Sequence, residues 1–182
     1  MNPLKVLNGS VYHEPSKIIK KYELTDNTIV HNGRILKRIR ALINFGNITA
    51  GTLGGYVESV GNLSQEGMCW VNGHAKVYDD AYVCGNVYVD GACDICGNAQ
   101  ITGYGYITDR VIVNGDAILN GINNISGIAT VSGHSILYGY NNIRDAQIRD
   151  NVVLYGNNEI EGLMTFTGST QVCGLNLKTG KH

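Results

Sequence analysis

The side chains that could do chemistry are few and scattered. Five histidines (His13, His31, His74, His134 and His182) could each serve as a general base or a zinc ligand. Cys93 and Cys96, spaced Cys-x-x-Cys, carry a weak redox or zinc signal. Asp79, Asp80 and Asp90 could attract a cation, but no ligand set of calcium type accompanies them. Gly103-Tyr-Gly105 is too short to cradle a phosphate. Whether any of these groups can meet depends on the elements that hold them.

One six-residue spacing organises those elements. Val71, Val77, Val83, Val89, Ile95, Ile101, Ile107, Val113, Leu119, Ile125, Val131, Leu137 and Ile143 follow without a break. After a single five-residue step come Ile148, Leu154, Ile160, Phe166 and Val172. Two residues after each of these 18 positions stands Gly (14 times) or Asp (79, 109, 145 and 150). The position two before the aliphatic is small, as in Ala75, Ala81, Ala99, Ala117, Ala129 and Ala146. In a strand, alternate residues share a face, so the small and aliphatic residues point inward and those flanking the aliphatic point outward. Gly then makes a corner because it accepts positive φ, and Asp because it can bond its own backbone. Three strands and three corners close a triangular coil. A short fixed period of this kind is the signature of a solenoid, here an all-β parallel helix of about six coils stacked at about 4.8 Å.

That register separates the candidate groups. Cys93 points in and Cys96 out, so the two cannot grip one ion without breaking the strand. His74 and His134 each follow a corner Gly but lie 60 residues apart, three coils and one further corner, and so on different edges. No three-histidine zinc set exists, and no catalytic residue, metal or cofactor is assigned.

An 18-residue alignment places Asn123, Asn141 and Asn158 at the same inward position of successive coils. Stacked amides can bond along the coil axis, so these three are read as a structural asparagine ladder. Residues 1–68 do not follow the period. Short strands at 21–25, 28–31 and 34–42, with turns at Asn32-Gly33 and Gly46-Asn47, make them a small β-rich N-terminal cap. A short helix is expected near Ser16–Tyr22. The hexapeptide-repeat β-helix then covers 69–175 and a tail 176–182.

Hexapeptide repeats of this kind resemble the left-handed parallel β-helix proteins, a group that includes many trimeric acyltransferases. The usual Gly directly after the aliphatic here falls one residue later, as in Val83-Cys-Gly85 and Val89-Asp-Gly91. The lead-in Gly54-Gly55-Tyr56-Val57, then Leu63-Ser64 and Trp70-Val71, is similar to YdcK-like and related bacterial and phage proteins. The resemblance spans roughly residues 21–175. It implies a left-handed coil, and it admits an acyltransferase alternative with an inter-subunit site near His134. Fold does not carry function, however, and no loop projects from the repeats to cover a substrate.

Bulk properties narrow the partners. Residues 1–40 carry eight Lys/Arg against three acids, and residues 41–182 six against twelve. An acidic β-helix is a poor nucleic-acid binder. No run of 18 apolar residues exists to span a membrane, and the N-terminus is not a secretory signal. Five irregularly spaced cysteines fit a reducing cytoplasm.

One surface stands out. Ile118, Ile136 and Val153 form an outward column, Tyr138 and Tyr155 the next, and Tyr104, Ile122 and Tyr140 line the adjoining corner. Soluble monomers seldom leave such a patch wet, and Tyr is favoured in interfaces. The expectation is a binding module that engages a protein partner or a second copy (a homo-oligomer), with a phage-encoded inhibitor of a host complex as one form. A structural assembly protein is the third reading.

Overall fold

The computed structural model describes Leu4–Leu7 and Ser10–His13 as backbone, residues 19–174, and Asn176–Lys178. The only helical element among these is a single 3-10 turn at Val60–Asn62. Residues 16–18 of the expected helix lie outside the described residues; 19–21 are irregular and Tyr22 opens a strand. His13 and His182 likewise offer no described side chain.

From Leu53 onward the chain forms a parallel β-solenoid of about seven turns. On the face built on Val77, seven parallel strands stack from Leu53–Val57 to Thr165–Phe166. Pairing runs at 18 residues (Asp94 to Ile112) and at 17 across the five-residue step (Thr130 to Gln147). The stack therefore begins one turn before Val71: Val57, Leu63 and Val71 are fully buried, and Leu63 bridges in parallel to Val83. That turn hides from the period because its sides are unequal in length and Gly54-Gly55 stands where a small residue and its neighbour would. A Cβ on Gly54 would lie 2.5 Å from the Val71 carbonyl.

The corners follow the spacing at every step. All 14 repeat glycines and all four aspartates, Asp79, Asp109, Asp145 and Asp150, have positive φ. The aspartates act differently from the expectation of a bond to their own backbone. Asp79 accepts from the amide of Gly97, Asp109 from Gly127 and Asp150 from Gly168, each one coil onward, at 2.8–3.0 Å. In these three, left-handed φ turns the Cβ along the solenoid axis and the carboxylate meets the next corner; Asp145 instead reaches back, accepting from the Ile128 amide of the preceding coil at 2.9 Å. Inside, the aliphatic and small residues form one continuous core from Tyr22 and Ile39 to Ile160.

The N-terminal end is covered. Tyr22–His31 and Arg34–Ala41 form an antiparallel hairpin whose Asn32-Gly33 turn has φ of 49° and 77°. This turn pair matches the right-handed strand twist. Arg34–Ala41 continues the sheet by pairing with Leu53–Val57. The hairpin tip is fastened to the solenoid by polar contacts: Arg34 meets Glu58 and Asp79, and His31 meets Asp94, which also pairs with Lys76 of the neighbouring coil. Lys21 is buried rather than solvated. Its Nζ donates to the carbonyls of Glu66 and Cys69 and to the Cys69 sulfur.

Candidate functional site

The two long strands Ile118–Ser126 and Ile136–Arg144 turn the corner without losing their ladder, pairing residue for residue over nine positions. This continuity follows from Gly121 and Gly139, whose φ of 104° and 94° opens the bend. It fuses two faces of the prism into one curved surface.

On that surface Ile118 pairs with Ile136 and Ile136 with Val153, making the first column. Tyr104 pairs with Ile122 and Ile122 with Tyr140, making the corner column. Tyr138 and Tyr155 stand between them, each two residues past Ile136 and Val153. Ile118, Ile122, Ile136, Tyr104, Tyr138, Tyr140 and Tyr155 expose between 37 % and 60 % of their surface, and Val153 is half-buried. All eight therefore lie in one patch over four coils.

Beneath it, Asn123, Asn141 and Asn158 are buried in one column. The Asn141 amide donates to Asn123 Oδ1 at 2.9 Å, and Asn158 donates to Asn141 Oδ1 at 2.8 Å and to the Tyr155 carbonyl. The column stops at Gly105, so the Asn123 amide nitrogen is buried without a partner. Hydrogen bonds in this low-dielectric interior hold the two long strands, which carry five of the eight patch residues, in one register.

A second surface feature depends on the cap. Trp70 stands in the outward register, as do Tyr88 and Tyr106 one and two coils on. Trp70 is nonetheless fully buried, because the turn Phe45–Ile48 folds over it and Phe45 packs edge-on at 5.5 Å. The turn leaves a groove of about 860 Å³ between itself and Tyr88, Tyr104 and Tyr106. No local signal in the repeats could have revealed it, since its wall comes from outside them. Tyr78, also outward by register, is buried in the same way beneath the hairpin, with its hydroxyl held by Asn32.

The groups weighed for catalysis remain apart. Cys93 is buried while Cys96 is half-buried and faces Tyr78. His74 is exposed, and His134 is exposed with its Nε2 3.0 Å from Asp116. Among the described residues no group of three or more His, Cys, Asp or Glu could hold a metal ion. No helix among them is long and apolar enough to cross a membrane. No protein-family profile matches the chain, and no curated protein matches it.

Proposed function

We propose that this chain is a non-catalytic, cytoplasmic protein-binding module that works through the Ile118/Ile136/Val153 surface and its tyrosines. The observation that carries this reading is the contiguity of eight apolar or aromatic side chains on four successive paired strands. Burying such a surface releases water at about 25 cal/mol per Å² of apolar area. Large Tyr side chains add contact area at little entropic cost. Because the strands are rigid, little ordering offsets that gain on binding. The partner is a protein surface or a second copy of the chain. The resemblance to phage proteins makes inhibition of a host defence complex the form in which such a module would act.

The test compares wild type with Ile136→Glu in a pull-down from bacterial lysate, with molar mass measured by light scattering. Capture of a defined host protein, or self-association, by wild type and its loss in the variant supports the reading. Identical capture and mass in both proteins sinks it.

A further inference from the structure

The groove beneath the Phe45–Ile48 turn shares Tyr104 and Ile122 with the protein-binding surface, but its ligand chemistry is its own and does not rest on protein binding. Its aromatic side is Tyr88, Tyr104 and Tyr106, with the Tyr88 and Tyr106 rings 6.1 Å apart. No Lys, Arg, His, Asp or Glu lines it among the described residues. Besides the three phenol hydroxyls, its polar side-chain groups are the amides of Asn47, Asn86 and Asn124.

Two of those amides are held in fixed orientation. Asn86 Oδ1 accepts from the Met68 backbone amide at 3.0 Å, and Asn124 Oδ1 accepts from the Tyr106 amide at 3.2 Å. The second bond replaces a missing ladder bond, since the strands Tyr104–Ile107 and Ile118–Ser126 pair at 104 and 107 but not between. With each oxygen committed to backbone, each Nδ2 is left with two N–H donors and no partner among the described residues. The groove therefore presents two oriented donors beside three phenols.

We propose that this groove binds a neutral oligosaccharide segment of two or three rings. Sugar rings offer apolar C–H faces to the tyrosines and hydroxyl or ring oxygens to the two amides, the pairing of a largely apolar wall with a few placed polar groups that small-ligand sites use. Other occupants fit less well. A nucleic acid would need cations to neutralise phosphate. A peptide strand adds to a sheet edge, whereas the groove lies on a face. A purely apolar ligand or helix would desolvate the amide donors without replacing their water bonds, at a cost of about 1–3 kcal/mol each.

The experiment titrates the full chain, labelled with nitrogen-15, with maltotriose, cellotriose and tri-N-acetylchitotriose, each to about 20 mM, where even millimolar affinity saturates. Saturable shifts of the Asn86 and Asn124 side-chain amides by at least one of them are expected. Two variants then test the site. Tyr106 is 62 % exposed, so Tyr106→Ala removes a platform without opening the core. Asn124→Asp keeps the acceptor for the Tyr106 amide and removes the donors. Each should weaken binding at least tenfold with an unchanged thermal midpoint. No saturable shift with any trisaccharide overturns the proposal, as do shifts undiminished in both variants. Saturation by p-cresol but by none of the sugars overturns it too, leaving an aromatic pocket.

Discussion

Asp109 Oδ2 accepts a hydrogen bond from the Gly127 amide at 2.8 Å, tying one corner of the prism to the next. Asp109 sits at φ 68°, a conformation that costs most residues about 1 kcal/mol or more. Aspartate thus supplies at a corner what glycine cannot, a bond along the axis. Asp109→Asn should retain most of the stability, since the amide oxygen can still accept. Asp109→Ala loses the bond and keeps the strain, and should cost about 1–3 kcal/mol in urea denaturation. If Ala and Asn are equivalent, the carboxylate is not a staple.

The glycine corners are constrained by space as well as by φ. A Cβ at Gly121 would lie 2.3 Å from the Gly139 carbonyl oxygen, a backbone atom that cannot step aside. At Gly168 nothing lies within 4 Å. Gly121→Ala should therefore abolish the folded thermal transition or lower it severely. Gly168→Ala should cost only about 1–2 kcal/mol, the left-handed penalty. Circular dichroism melts of the two variants check the contrast, and equal losses would refute the steric argument.

The asparagine column carries its own ordering. Asn141 both donates and accepts along the ladder, so Asn141→Ala strands the Asn123 oxygen and removes an acceptor from Asn158. Its expected cost is about 2–4 kcal/mol. Asn123 already buries an amide nitrogen without a partner, and Asn123→Ala should cost about 1 kcal/mol less. Equilibrium unfolding followed by tyrosine and Trp70 fluorescence would rank them; the reverse order would mean that packing outweighs the hydrogen bonds.

The difference between what the spacing reveals and what it hides is local against non-local. The corners, the inward aliphatics and the columns Ile118/Ile136/Val153 and Tyr104/Ile122/Tyr140 follow from a short period, because each residue's direction is set by its neighbours in its own strand. The fate of Trp70 and Tyr78 does not. Both have outward register, and both are buried because segments far away in sequence, Phe45–Ile48 and the Asn32-Gly33 hairpin, close over them. The groove has the same origin. The extra first turn is invisible to the period because Val57, Leu63 and Val71 are separated by unequal segments. Lys21 looks like one more solvated basic residue, because nothing in its neighbourhood announces the carbonyls of Glu66 and Cys69 that surround it.

The cysteines give a pH-dependent prediction. Burial pushes the Cys93 thiol up to about 11, against about 9 for a free thiol. A group whose folded pKa is raised contributes its full stability below the unfolded value and loses it as pH rises through the folded one. Stability should therefore be steady up to about pH 9 and fall between about 9 and 11. Burial also raises the Tyr22 and Tyr78 hydroxyls, with Tyr22 donating to the Leu63 carbonyl at 2.6 Å, so both add to the fall with the same sign. Cys93→Ala isolates the thiol's share. Ala already fills the same inward position at Ala75 and Ala129, so the substitution suits the coil. Urea midpoints at about pH 8, 9.5 and 10.5 should separate less in the variant than in wild type. Under native conditions at about pH 8 a thiol reagent should modify the exposed Cys173 first and reach Cys69 and Cys93 only on unfolding. Rapid native labelling of Cys93, or a pH slope unaffected by its removal, would show that its thiol is not held protonated by the core.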